Sequence, residues 1–430
     1  MRKGWKIALL TFSGVFLFTA ILITHPGSRS AIFYEYEKYK TKLVYWLKPP
    51  EEQVFVPDES IATTVASTLA AASPTTIPVT QTAAPTLETI APTAQPTPTV
   101  KPIPLPEKAN ITGIQYFDQH ELWNYCAPAT LNMQLSYWGF ARDRKEVGAV
   151  LKPYEKDKNV MLYEMADYVH EQTSLAATVR SGGTLETLKT LVSANFPVLI
   201  EKGIYIKDYN GKMGWVGHYA VISGYDDAKA VFTTQDAYFS ANYPVSYHDL
   251  ENQWRDFNFA FIVLYKPEQT DQVMALLGPL AQETQAYTLA AARASAEISS
   301  LSGEDQFFAQ YNLGTSYVGL QRYAEAAAAY DSAFTMLADL ERKPWRITWY
   351  QTGPYFAYYY TGRYQDVISL ATNTLNATAE PYLEESYVWR ARALIRIGES
   401  DAAKADVKKA LELHEGFVPA LELAQQLGIQ

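Results

Sequence analysis

A tract from about residue 51 to 106, written largely in Pro, Thr and Ala, sets the plan of this chain. Ala91-Pro92-Thr93-Ala94-Gln95-Pro96-Thr97-Pro98-Thr99 is representative. Such a composition cannot bury enough apolar surface to offset the entropy of ordering it. Proline favours polyproline II at about 3.1 Å per residue, so a disordered, semi-rigid linker is expected. The globular parts must lie on either side, and 430 residues allow two or three units.

On the N-terminal side, Arg2, Lys3 and Lys6 precede Ile7–Thr24, an uncharged run of 18 residues. That run is long enough to span a bilayer as a helix, and its basic flank should stay in the cytoplasm. It ends in Thr24-His25-Pro26-Gly27-Ser28 without a small-x-small cleavage site, and no cysteine stands nearby to be lipidated. Residues 1–26 are therefore expected to be a cytoplasmic tail and signal anchor in the cell membrane, with all that follows extracytoplasmic. Residues 27–50 carry charges and Tyr34, Tyr36, Tyr39, Tyr45 and Trp46, a juxtamembrane segment with the makings of a short helix.

On the C-terminal side two patterns succeed one another. Between 107 and 268, helical spacing covers Ala129–Trp138 and Thr184–Ala194. Strand pattern covers 197–200, His218–Gly224, Ala230–Gln235 and Phe259–Tyr265. Helices first, then strands joined by short turns, is an α+β arrangement with a largely antiparallel sheet. From 269 to 430 the chain is helical and alanine-rich. Leu313-Gly314, Tyr317, Ala326, Tyr330 and Ala333 match a tetratricopeptide template. Tyr364, Val367 and Ala371 give a weaker copy, and Ala391, Leu394, Ala403, Val407 and Ala410 a third. Ala326, Val367 and Ala403 are 41 and 36 residues apart, near the repeat length of about 34. An all-α solenoid is expected, with a plain helical bundle as the alternative.

A net charge of −10 without a Lys/Arg cluster speaks against nucleic acid. Six scattered histidines and a single cysteine give no zinc-ligand spacing, so neither metal nor cofactor is expected. That cysteine, Cys126, opens the helix that Pro128, Leu131, Leu135 and Trp138 continue and Gly139 ends. A thiol at a helix N-terminus feels the positive end of the dipole, which favours the thiolate. The competing role is that of a small buried hydrophobe.

Cysteine catalysis needs a base, a group to orient it and donors for the oxyanion. His218 opens a β-branched strand directly after Gly217, which leaves room for a close approach. His120, His170, His248 and His414 fall in a loop, a helix, a loop and the repeats. Strands 218–224 and 230–236 flank Tyr225-Asp226-Asp227-Ala228-Lys229, a hairpin signal. With the turn centred on Asp227, Asp236 faces His218; otherwise Asp236 merely begins a turn at Asp236-Ala237-Tyr238. Gln119, seven residues before Cys126, is placed to share an oxyanion with the Cys126 N–H, and Gln115 is the weaker candidate. Trp123 and Trp215 flank these segments and suit either a cleft wall or the core.

Gln119, Cys126-Ala127-Pro128-Ala129-Thr130-Leu131, Gly217-His218-Tyr219-Ala220-Val221 and Gln235-Asp236, in that order, resemble the papain-like cysteine peptidases that process double-glycine bacteriocin leaders. The likeness is to their stand-alone relatives and covers about 110–266. It implies a papain-like fold with Cys126 as nucleophile, His218 as base, Asp236 as orienter and Gln119 in the oxyanion hole. The family usually has Gly where Ala127 stands and Pro where Ala237 stands.

The expected function is an anchored, extracytoplasmic cysteine peptidase whose repeats offer a groove for a peptide or protein partner. The alternative is a catalytically inactive peptidase-like scaffold acting through its repeats. A third reading keeps the triad and changes the chemistry, as in a transamidase.

Overall fold

The computed structural model describes residues 26–47, 54–57, 104–152, 154–207 and 211–429 of the chain. The candidate anchor Ile7–Thr24 and most of the linker thus lie outside the described residues. Among those described, no helix is long and apolar enough to cross a membrane.

The first part runs α1 (Pro26–Leu47), β1 (Lys108–Asn110), α2 (Cys126–Tyr137), α3 (Arg144–Leu151), α4 (Leu162–Gln172) and β2 (Ala176–Arg180). It continues with α5 (Leu185–Ser193), β3 (Val198–Lys207), β4 (Met213–Asp226), β5 (Val231–Asp236), β6 (Ser240–Ser246), α6 (Tyr247–Arg255) and β7 (Phe261–Tyr265). The helical part comprises α7 (Thr270–Leu277), α8 (Glu283–Ser300), α9 (Gly303–Gly319), α10 (Tyr323–Asp339) and α11 (Ile347–Tyr350). It ends with α12 (Gly353–Tyr360), α13 (Tyr364–Asn376), α14 (Glu384–Arg396), α15 (Ser400–Leu413) and α16 (Val418–Leu427).

The strands form one antiparallel sheet in the order β2-β7-β3-β4-β5-β6, with β1 paired to β4. Alternation sorts its side chains onto two buried faces. Leu199, Tyr219, Ile262 and Leu264 join Leu131, Val147 and Met165 of α2–α4. Val198, Ile200, Ala220, Ile222 and Phe261 join Leu188, Trp254 and Val273 of α5–α7. Strands covered on both sides read as unbroken apolar runs, which is why they stand out in the sequence. Edge strand β6 is largely exposed and contains Pro244, so it carries no such signal.

The β3–β4 hairpin is longer than the sequence pattern suggests. Gly203 and Gly217 sit opposite each other within it. A Cβ at Gly217 would lie 2.8 Å from the rings of Phe257 and Tyr350. The close approach expected at this glycine is made by a tyrosine from the helical region.

That tyrosine belongs to α11, which lies within the 41-residue interval between Ala326 and Val367. The hairpins α9–α10, α12–α13 and α14–α15 carry the repeat positions. Gly314 lets α9 approach Tyr330 of α10, where a Cβ would stand only 2.7 Å from the ring. The two parts share a core in which Trp215 and Phe257 pack with Phe308, Ile347 and Tyr355. Polar contacts hold the same seam: Arg346 Nη1 donates to the Trp215 carbonyl at 3.0 Å, and Asn312 Nδ2 to the Arg255 carbonyl at 2.7 Å.

Candidate active site

Cys126 is the first residue of α2, and its N-cap, Tyr125, offers no side-chain acceptor. The approach to it is braced from residues 152–157. Asn124, at a φ of 49°, donates from Nδ2 to the Asp157 carbonyl at 2.7 Å. The buried Lys152 ammonium donates to the Trp123 carbonyl and, at 3.0 Å, to that of Glu155. One turn into α2, the Thr130 hydroxyl donates to the Tyr219 carbonyl at 3.3 Å. Residues four apart share a helix face, so Cys126 lies on the face of α2 that meets β4 at Tyr219.

Burial pushes the Cys126 thiol up to about 11, outweighing the Lys152 ammonium and the Ala127 N–H that favour the thiolate. The helix start therefore does not produce a preformed thiolate, contrary to the expectation from the dipole alone. Desolvation is the larger effect. Ala127, standing where the family has glycine, is buried in the α2 layer with Leu131 and Tyr219.

His218 and Asp236 meet directly: His218 Nε2 lies 2.7 Å from Asp236 Oδ1, and both are buried. The register that brings them together differs from the expected one. The turn spans 227–230, a bulge falls between Ile222 and Gly224, and Val221 pairs with Gln235. Asp236 thus lines up beside Ala220, two positions from His218. A slip of two keeps both side chains on one face, where a slip of one would have parted them. The same Oδ1 accepts the backbone N–H groups of Tyr238 at 3.0 Å and Phe239 at 3.2 Å. Asp236 both starts the turn and holds the histidine.

Oδ2 faces Lys202, whose Nζ stands 3.1 Å away. Lys202 is directly opposite His218 on β3 and is buried. Burial works to raise the Asp236 carboxyl, but His218 and Lys202 together hold it well below the usual carboxylate range. In the sequence, Lys202 sits in a strand edge beside Glu201 and gives no sign of this role.

Gln119 lies on the loop before α2, where its N–H donates to the Ala237 carbonyl at 3.1 Å. Its Oε1 is buried without a hydrogen-bond partner. Gln119, Trp123, Val216 and Tyr238 wall a cavity of about 320 Å³. Tyr238 connects this cavity to the dyad, its ring centroid 6.2 Å from that of His218. The far wall comes from elsewhere: Arg346, Trp349 and Tyr350 of the helical part, and Thr41 and Tyr45 of α1. Glu37 of α1 pairs with Lys156 at 2.6 Å, and Lys156 in turn with Glu380 at 3.2 Å. Cys126 is half-buried and is not among the wall residues.

The two tryptophans divide. Trp123 lines the cavity, whereas Trp215 is core, stacked on Phe257 with its Nε1 donating to Asp256 Oδ2 at 2.7 Å. Gln115 uses its N–H on the Ser136 hydroxyl at 2.8 Å. His248 is not in a loop: it lies in α6, whose N-cap Ser246 accepts the Asp249 N–H at 3.0 Å. Ser246-Tyr247-His248-Asp249 was a readable helix start. His170 is in α4, His414 caps α15 beside Glu384, and His120 pairs with Asp118 in its loop.

Residues 111–262 match the model of the Peptidase_C39 like family, and 309–336 and 384–415 match that of the tetratricopeptide repeat. The segment 111–262 is thus a C39-like peptidase-family domain, and tetratricopeptide repeats follow it. Among solved structures, the chain is similar to a C39-like peptidase from Bacillus anthracis at 18% identity and a TM-score of 0.31. That match covers 37% of this chain and 98% of the other. No curated protein matches the chain.

Proposed function

We propose that the chain is a membrane-anchored, extracytoplasmic cysteine peptidase. In this reading, residues 107–268 supply a papain-like catalytic domain and residues 269–430 a repeat domain that binds a peptide or protein. The observation that carries it is the buried His218–Asp236 pair at 2.7 Å, linked through Tyr238 to the cavity that Gln119 lines.

The chemistry follows from the atoms available. Asp236 Oδ1 accepts the Nε2–H of His218, which leaves Nδ1 as the basic nitrogen. That nitrogen takes the Cys126 proton as sulfur attacks the scissile carbonyl carbon. The Gln119 side-chain amide and the Cys126 N–H stabilise the oxyanion. The protonated imidazole then delivers its proton to the departing amine, the C–N bond breaks, and water hydrolyses the thioester.

One observation favours the scaffold alternative: the thiol is raised to about 11 and makes no hydrogen bond to His218. Catalytic hydrogen bonds often tighten only when substrate binds. The test is cleavage of an unbiased peptide pool by the full chain. Cleavage lost in both Cys126→Ala and His218→Ala supports the peptidase. No cleavage, together with Cys126 alkylation unaffected by His218→Ala, leaves the scaffold. Anchoring is checked separately: protease added outside intact cells should remove the region after residue 106, and full protection would overturn that topology.

A further inference from the structure

Four residues between the two stretches outside the described structure are held firmly. Val54-Phe55-Val56-Pro57 belongs to no helix or strand, with Phe55 and Pro57 buried and Val56 exposed. Phe55 is only 3% exposed, and what covers it is the repeat domain. Its ring meets Phe334 of α10 edge-on at 5.2 Å and 85°, and Tyr358 of α12 at 5.9 Å. Leu337, Ile347 and Leu370 complete the socket.

This is not the packing of an ordinary core residue. Phe55 belongs to a segment far from the repeats in sequence, and the stretch that follows it, rich in Pro, Thr and Ala, has little apolar surface to bury. The side chains alternate inward and outward with the period of an extended peptide, as when a segment lies across a binding surface. An aromatic ring fills a pocket made by four successive helices, α10 to α13, and a proline two residues on is buried as well. Proline restricts the free segment and lowers the entropy lost on docking.

We propose that Val54–Pro57 is an intramolecular ligand of the repeat domain, and that the socket around Phe334 and Tyr358 is a peptide site for an extended aromatic-x-proline segment. The resting chain fills this site with its own residues. A partner that uses the site must carry the same chemistry and displace them. The claim concerns the repeats alone and does not depend on peptidase activity.

The test uses the full chain and a fluorescent peptide copying residues 51–60. In Phe55→Ala the socket is vacant, so the peptide should bind at least tenfold more tightly than to the unaltered chain. There it competes with a tethered copy at an effective concentration of millimolar order. A peptide with alanine in place of the phenylalanine should bind neither. Equal binding to both proteins, or to both peptides, overturns the proposal. A second measurement needs no protein variant: excess unlabelled peptide with glutamine at each of its glutamates should speed cleavage after Glu59 by a glutamate-specific protease, and an unchanged rate counts against displacement.

Discussion

Lys202 and His218 face each other across β3 and β4 and converge on one carboxylate, Lys202 on Asp236 Oδ2 at 3.1 Å and His218 on Oδ1 at 2.7 Å. Asp236 is therefore tied to the fold as well as to the proposed chemistry. Replacing it strands a buried ammonium, and breaking a buried pair from one side costs about 3–5 kcal/mol. Asp236→Asn should lose turnover and also melt earlier. Combining it with Lys202→Met should restore most of the melting temperature and none of the turnover, a double-mutant cycle measured by thermal unfolding and peptide cleavage. A double variant no more stable than Asp236→Asn would place Lys202 outside this coupling.

Acid unfolding should report the same pair. Burial works to raise the Asp236 carboxyl, but His218 and Lys202 outweigh it and leave the carboxyl depressed in the folded state. Its contribution to stability is complete above the unfolded value of about 3.9 and is lost as pH falls through the folded one. Lys202→Met removes one of the two groups that hold the carboxyl down and so raises the folded value. The acid transition followed by circular dichroism should move to higher pH.

Glu201 makes the opposite prediction. It accepts the Tyr219 hydroxyl at 2.9 Å, and burial still pushes its carboxyl up to about 8. A raised acid holds its proton in the folded state while the unfolded chain has lost it. Stability should thus decline as pH rises from about 4.5 to 8. Glu201→Gln should flatten that decline, as read from denaturant midpoints at pH 5 and pH 8. An unchanged slope would show that Glu201 does not control it.

The thiol should be sluggish at rest. With its titration near 11, the thiolate fraction at pH 8 is smaller than that of free cysteine by about a hundredfold. Iodoacetamide should alkylate Cys126 correspondingly slowly, with a rate still climbing above pH 9. Rapid labelling at pH 7 would mean that the thiolate forms without substrate.

In the repeats, Arg363 bridges Asp331 at 2.6 Å and Asp366 at 2.6 Å, all three buried. Arg363→Met should destabilise the helical part by about 3–5 kcal/mol, seen in thermal melting. Lysine in its place should rescue only partly, because it cannot fork between two carboxylates.

What the sequence disclosed follows from what each residue has to do locally. The helix at Cys126 and the strands at 198–200 and 218–222 carry apolar patterns that survive any tertiary context. Asp236 was reached through a strand register two residues off, and period-two alternation forgave the error. Lys202, Tyr238 and Tyr350 were invisible because their importance lies in cross-strand register and in an insertion between repeats. The thiol's burial was equally hidden. A helix start is local, whereas desolvation is set by everything packed around it.

Tyr350 against Gly217 has a practical consequence for anyone who would handle the two halves separately. A fragment ending at Tyr265 would leave Trp215 and Phe257 bare and the Gly217 notch empty, presenting an oily scar to solvent. Such a fragment should clump on expression. The repeats are therefore better regarded as the missing flank of the enzyme-like half than as a passenger, and swapping them for those of a relative means regrafting the interval that contains α11 as well.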